Sequence, residues 1–226
     1  MTQEDFFKSL ELTKEENNEL QKYAETITNE MEESAKARGT GIAKRSPEYI
    51  VKKIEEGKSV IAVTQDGQWV GFCYIEAWEH GKYVANSGLI VAPAFRKTGV
   101  ATEIKRKIFQ LSREKYPDSK IFGLTTGLAV MKINSDLGYE PVTYSELTTD
   151  EEFWKGCKSC VNYEILMSKD RKNCMCTAML FDPAEAEVVA GRGRVAVPGF
   201  QQADGVAIEI VPPAALRAMA LDVRGK

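Results

Sequence analysis

Leu89 to Gln110 reads LIVAPAFRKTGVATEIKRKIFQ, and the fold turns on a change of period inside this stretch. Leu89, Ile90 and Val91 make an apolar run like the end of a buried strand. Pro93 stops that run, because proline lacks the N–H that a central strand must donate. From Arg96 onward the spacing becomes helical, with Val100, Ile104, Ile108 and Leu111 on one face. The join carries the pattern R-x-x-G-x-A at Arg96, Gly99 and Ala101. A strand-to-helix turn of this kind aims several backbone N–H groups, and the positive end of a helix, at one point. Such a corner suits a pyrophosphate. Gly99 lets the backbone come close with no Cβ in the way, Ala101 keeps the helix start small, and Arg96 can add a charge-assisted hydrogen bond. The plain alternative is an ordinary turn with a convenient glycine.

Upstream, Thr13, Lys14, Glu15 and Glu16 have the form of a capping box. Leu20, Tyr23, Ala24, Ile27 and Met31 then repeat at helical spacing, which predicts one long helix to about Ala37, closed by Gly39 and Gly41. Ser46 and Pro47 open a second helix, with Ile50, Val51 and Ile54 inward and Gly57 ending it. Val60 to Thr64 and Trp69 to Glu76 pair as a hairpin across the turn at 65–68, and Tyr83 to Val91 is the next strand. Downstream, the helix after the turn ends near Lys115 because Pro117 forbids its continuation. Ile121 to Thr126 is a fifth apolar strand segment, and Leu128 to Leu137 a short helix whose Gly138 suits a left-handed cap.

Arg96, Gly99 and Ala101, preceded by Val91, Pro93 and Phe95, resemble the acyl-CoA-binding motif of the GNAT superfamily of N-acetyltransferases. Leu137, Gly138 and Tyr139 resemble the run that ends that family's last helix. The order of elements over about 10–180 is similar as well. The resemblance implies a mixed α/β (α+β) fold, with a central mixed, mostly antiparallel sheet flanked by helices. It implies acetyl-CoA as co-substrate, held by the backbone of Leu89, Ile90 and Val91 along its pantetheine arm. Its pyrophosphate would be held by Arg96, Lys97, Thr98, Gly99, Val100, Ala101 and Thr102.

Acyl transfer from a thioester to an amine also needs a base for the ammonium and a proton or positive field for the leaving thiolate. Relatives carry a tyrosine four residues before the glycine of that closing run; here the position is Asn134. An asparagine seen early in that helix in relatives is also missing, with Gly127 near the spot. Tyr139 is taken as the substitute acid and Tyr144 is a second phenol nearby, core packing being the plain reading of both. A thiol with pKa ~8.5 also leaves with little help. For the base, Glu76, Glu79 and the single histidine, His80, cluster where the second hairpin strand ends. Glu76 is preferred, since alternation from Phe72 and Tyr74 decides its face, whereas His80 beside Gly81 reads equally as an exposed turn.

Cys157 and Cys160, then Cys174 and Cys176, form two close pairs of thiols. Spaced this way they could close a structural zinc site; a redox or disulfide pair, or plain buried thiols, are the other readings. Val161 to Met167 looks like a strand between the pairs, and Cys73 reads as core. Lysine is absent from 184–225 and alanine and valine dominate there, so 1–183 is taken as the acyl-CoA-binding domain and 184–226 as a distinct extension. Val206 to Val211 could be a strand there, and Pro213 to Leu221 a short helix. Gly191, Gly193 and Ala196 match a dinucleotide fingerprint as text, but Pro198 follows where a helix should, so that reading is rejected.

The chain has 226 residues, 43% of them hydrophobic, and a net charge of −3 with both signs interspersed. That is enough apolar material for one packed core and gives no basic face for nucleic acid or anionic membrane. No apolar run approaches the length of a membrane span, and Met1 to Phe7 is acidic, so a cytoplasmic protein with reduced or metal-bound cysteines is expected. The leading expectation is an acetyl-CoA-dependent N-acetyltransferase acting on a small amine. The Cys-rich ending resembles a GNAT branch linked to bacterial arginine biosynthesis, which makes glutamate a candidate acceptor; a homodimer is left open. The competing expectations are a non-catalytic acyl-CoA sensor and a metal-containing interaction protein.

Overall fold

The computed structural model describes residues 14–39, 44–64, 66–186 and 208–211. Helix α1, Lys14–Arg38, buries Leu20, Ala24, Ile27 and Met31, a stripe spaced by four, three and four residues. Each such large apolar side chain contributes about 1.5–3 kcal/mol when fully buried, so tertiary packing rather than propensity holds this helix. Thr13 and Gly41, its expected cap and end, lie outside the described residues. Helix α2 is Pro47–Glu55: the Tyr49 amide donates to the Ser46 side chain at 3.3 Å, and Pro47 takes the first helical position, where no N–H is needed.

Strands β1 (Ser59–Thr64), β2 (Trp69–Trp78) and β3 (Tyr83–Val91) form an antiparallel meander. Helix α3, Val100–Lys115, crosses over to β4, Lys120–Thr125, which runs parallel to β3. Helix α4 (Leu128–Asp136), β5 (Glu140–Val142), α5 (Glu151–Lys155), α6 (Tyr163–Ser168) and β6 (Thr177–Phe181) follow. Strand β6 inserts antiparallel between β4 and β5, and β7, Ile208–Val211, pairs antiparallel with the outer side of β1. The sheet order is therefore β5-β6-β4-β3-β2-β1-β7.

Directly paired residues share a face of the sheet, so Phe72, Tyr74 and Glu76 lie on the same side as Ser87 and Ala85. On that side α1 and α2 cover β1 to β3 through Ile27, Ile50, Ile54, Phe72 and Tyr74. Farther along it, Tyr144, Leu147, Trp154 and Leu166 cover Tyr83, Ala85 and Phe122. The opposite side packs on α3 through Val100, Ile104 and Ile108.

Two departures from ladder geometry position the site. Between the pairs Phe72↔Ile90 and Tyr74↔Ser87, the single residue Cys73 opposes both Gly88 and Leu89, a β-bulge. Gly88 has φ +66°, and a Cβ there would lie 2.3 Å from Tyr74 Cε1 and 2.9 Å from Met31 Cε. Gly88→Ala is therefore expected to cost about 2–4 kcal/mol, from backbone strain and overpacking together. Urea unfolding checks this; a loss below about 0.5 kcal/mol would mean the bulge adjusts freely. The second departure is that only Tyr83, Val84 and Ala85 pair with β4, at Lys120, Ile121 and Phe122. Beyond Ala85 the two strands part, leaving Ser87 to Leu89 on one and Gly123 to Thr125 on the other partly exposed.

Val161 to Met167 is not the expected strand. Alternation would bury Val161, Ile165 and Met167, yet these are 68%, 40% and 38% exposed, and Leu166 is the buried residue. The Tyr163 amide bonds the Cys160 carbonyl at 3.0 Å, which starts α6 instead. Of the expected strand at Val206 to Val211, Ile208–Val211 is one; Pro213 to Leu221 lies outside the described residues.

Candidate active site

The turn after β3 is built from two left-handed residues, Lys97 at φ +65° and Gly99 at φ +89°, with Thr98 between them. The Thr98 hydroxyl fixes the turn by donating to the Phe95 carbonyl at 2.7 Å. The amides of Thr102 and Glu103 bond the Gly99 carbonyl at 3.0 and 3.2 Å. Those of Lys97, Thr98, Gly99, Val100 and Ala101 find no acceptor among the described residues. Alternating handedness turns such amides toward a common concavity, and the start of α3 adds its positive end. This is a built anion corner, exposed at Arg96, Lys97 and Thr98.

Arg96 differs from expectation. Its Nη2 donates to Glu30 Oε1 at 2.6 Å and Ser34 Oγ at 2.8 Å, and its Nε donates to the Val91 carbonyl at 3.1 Å. The guanidinium thus fastens the turn to α1. The open amides of 97–101 are the groups at this corner that an anion could meet. Leu89, Ile90 and Val91 stand where β3 has left β4, their other edge still paired with β2 at Phe72 and Gly71. On the β4 side no strand pairs with them, and the Val91 carbonyl there is held by Arg96 Nε.

Glu76 is 9% exposed, one strand position past Ile75 and on the α1–α2 side of the sheet. Its Oε1 accepts a short hydrogen bond from the Tyr49 hydroxyl, and its Oε2 lies 3.5 Å from Arg45 Nη2. Arg45 Nε also donates to the Tyr74 hydroxyl at 3.0 Å. Burial, and then the Glu76 charge, push both phenols well above the usual tyrosine range, so each stays protonated and Tyr49 remains the donor. Lys53 stands 5.0 Å from the Tyr49 ring centroid, its pKa lowered chiefly by burial. A carboxyl is thus framed by two cations and two phenols beside Ala85, the last β3 residue paired with β4. Arg45, Tyr49 and Lys53 escaped sequence reasoning; Arg45 precedes a helix cap and Tyr49 and Lys53 sit on an ordinary amphipathic helix.

Tyr139 is corrected out of the catalytic set. It is fully buried on the α3 side, packed on Phe109 and Phe181, and its hydroxyl donates to Asn86 Oδ1 at 2.9 Å. Burial raises its pKa strongly, and a phenol so enclosed has no route to a leaving thiolate. Tyr144 is also committed, donating to the Cys176 carbonyl at 2.8 Å. Asn134 is buried beside β4 and β6, its Nδ2 3.7 Å from Met179 Sδ and its Oδ1 without a partner among the described residues.

Glu79 and His80 occupy a tight turn with φ +49° and +55°, and His80 is exposed. Glu79 Oε1 accepts from Thr148 Oγ1 at 2.7 Å and the Thr149 amide at 2.8 Å, tying this turn to the chain over β4. The Thr148 bond first, then the Thr149 amide, lower the Glu79 pKa from 4.5. A folded value below the unfolded one means the stabilisation is full above about pH 4.5 and lost as pH falls through the depressed value. Glu79→Gln should therefore lower Tm at pH 7, with the gap from wild type closing by pH 3. A gap that is constant across this range would contradict the assignment.

Cys157 lies in a 3-10 turn after α5 that Cys160 caps, and Cys174 and Cys176 lead into β6; all four are half-buried and reduced. No three metal-ligating side chains among the described residues stand ready to hold an ion. Cys73 is core, as expected. No helix among the described residues is long and apolar enough to cross a membrane.

A mixed sheet whose parallel pair splays beside an amide-lined turn defines the N-acetyltransferase fold of the GNAT class. In agreement, residues 28–129 match the family model described as Acetyltransferase (GNAT) family. The fold is similar to N-acetylglutamate synthase from Neisseria gonorrhoeae complexed with coenzyme A and N-acetyl-glutamate, at TM-score 0.50 and 17% identity. That match covers 70% of this chain and 32% of the other, so this chain spans about a third of that protein's length. Rv2747 from Mycobacterium tuberculosis, in complex with CoA and NLQ, matches at TM-score 0.52 and 16% identity, covering 72% and 95% of the two chains. A GNAT-family acetyltransferase from Staphylococcus aureus Mu50 matches at 0.51 and 12%, covering 72% and 94%. No curated protein matches in sequence at a significant level.

Proposed function

We propose that the chain is an acetyl-CoA-dependent N-acetyltransferase for a small amine that carries a carboxylate, an amino acid such as glutamate being the leading candidate. The observation that carries this reading is the opening between β3 and β4, with unpaired amides at 97–101 at one end and Glu76 beside its apex. The fit to the co-substrate is physical. Five amides with no acceptor among the described residues suit the pyrophosphate, and the edge of Leu89 to Val91 that no β4 residue pairs suits the amide groups of a pantetheine arm.

Bound acetyl-CoA supplies the activated acetyl thioester. The chain's own part is to hold the acceptor and take its proton. Glu76 acts as the base, receiving the ammonium proton directly or through one water; Tyr49, kept protonated, holds its carboxyl in place. Arg45 and Lys53 give the acceptor side two positive charges, which favours an amine bearing its own carboxylate. N-acetyl-glutamate in the similar Neisseria gonorrhoeae structure makes glutamate the first acceptor to try. The leaving thiolate departs without a dedicated phenol, since Tyr139 is enclosed. Residues 184–226 are read as an extension to this domain, contributing β7 at the sheet edge.

Thiol release from acetyl-CoA across a panel of amino acids and simple amines tests the proposal. Release that depends on glutamate or another carboxylate-bearing amine, and is weaker with matched amines lacking the carboxylate, supports it. Asn134, where relatives carry a proton donor, favours a second reading as an acyl-CoA sensor. Tight acetyl-CoA binding without acceptor-dependent release would select that reading.

A further inference from the structure

The acyl-transfer reading leaves the four thiols of 157–176 without a task. Their backbone setting is specific. The Cys160 amide donates to the Cys157 carbonyl at 2.9 Å, closing a tight turn, and the Asn162 amide points at Cys160 Sγ from 3.4 Å. An N–H directed at a sulfur two residues earlier supports a thiolate ligand from outside the coordination shell. The second pair is brought to the same place, because the Cys174 thiol donates to the Asn162 carbonyl at 3.8 Å. Tyr144, bonded to the Cys176 carbonyl, fixes the strand that carries this pair. Cys157 and Cys174 pack at the edge of the core formed by Tyr144, Leu147 and Trp154, so the cluster has a rigid base.

We infer that Cys157, Cys160, Cys174 and Cys176 form a binding site for a thiophilic divalent cation of the zinc class, which fastens the Cys-rich segment to the acceptor side of the domain. In the described conformation no three of these side chains are gathered as metal ligands, so binding requires the sulfurs to converge on the ion. Binding is balanced by release of the four thiol protons to solvent: one divalent cation and four thiols give a tetrathiolate of charge −2 and four protons, with no change of oxidation state. The consequence for the neighbouring site follows from two contacts. The Lys44 amide donates to Ser159 Oγ, between the first two cysteines, at 3.2 Å. A Cβ on Gly156 would lie 3.8 Å from Arg45 Nη2, so the cysteine turn abuts the guanidinium that reaches Glu76. The ion therefore holds the 44–45 segment, and with it Arg45, in place. This last consequence rests on the acyltransferase reading; the metal site itself does not.

The test uses the full chain, reduced and stripped of metal, titrated anaerobically with cobalt(II) and then zinc(II). One cobalt per chain with an intense thiolate-to-metal charge-transfer band and tetrahedral ligand-field bands, displaced by one zinc, is the expected result. The double substitutions Cys157→Ser with Cys160→Ser, and Cys174→Ser with Cys176→Ser, should each weaken zinc binding at least 100-fold. Since either variant could fail to fold, zinc-dependent protection of the 44–46 amides from hydrogen exchange in the unmodified chain is the second readout. Absence of the charge-transfer band, or zinc bound equally well by both variants, overturns the proposal. So does rapid closure of a Cys157–Cys160 or Cys174–Cys176 disulfide in the presence of zinc. None of these readouts depends on turnover, so a chain that binds zinc but transfers no acetyl group would refute the enzyme reading alone.

Discussion

Glu76→Gln is expected to lower kcat by on the order of 10²–10³-fold, the range in which a positioned base contributes to proton transfer. The KM for acetyl-CoA should stay within about twofold, because the phosphate-facing amides lie at the far end of the opening. Glutamine keeps the size of the side chain and can still accept from Tyr49, so the fold should survive. What it loses is the ability to take a proton and the ionic contact with Arg45 at 3.5 Å. Steady-state kinetics with the best acceptor of the panel, alongside a thermal melt, separates chemistry from stability. A kcat within threefold of wild type would remove Glu76 from the base role and leave it as the anchor of Arg45.

The second large effect is expected at Gly99. Its φ of +89° puts it in the left-handed region, and it forms the N-cap of α3 without a side-chain cap. Valine is β-branched and resists that conformation, so Gly99→Val should unwind the turn that directs the amides of 97–101 to one point. Loss of one to three charge-assisted hydrogen bonds to a pyrophosphate corresponds to about 2–4 kcal/mol, or roughly 30- to 1,000-fold in acetyl-CoA affinity. Calorimetric titration with acetyl-CoA measures it directly. Gly99→Ala, smaller but still strained, should fall between. Unchanged affinity in Gly99→Val would mean that the co-substrate is not held by this turn.

Much of the scaffold could be read before any coordinates because its signals are local. The switch of period between Val91 and Val100, the Ser46–Pro47 start and the Gly138 cap depend on residues a few positions apart, and all appear where expected. Glu76 could be assigned to its face by counting from Phe72 and Tyr74, since strand alternation is strict between bulges. What stayed hidden depends on distant partners. Arg96 looks like a phosphate ligand until Glu30 and Ser34, more than sixty positions earlier, are found beside it. Tyr139 looks like a spare acid until the sheet is assembled and Phe109 and Phe181 close over it. The surround of Glu76 is made by Arg45, Tyr49 and Lys53, none of which stands in a motif. The strand expected at Val161 to Met167 failed because a seven-residue apolar-rich run fits either period, and the turn at Cys160 decided for the helix.

Backbone amide hydrogen exchange, measured on the full chain with and without saturating acetyl-CoA, probes the core of this account. Binding between the splayed strands and the turn should slow exchange by at least tenfold at 97–101 and along 87–91, while β1 and β2 change little. Protection confined to other parts of the chain, with 97–101 exchanging as before, would contradict it.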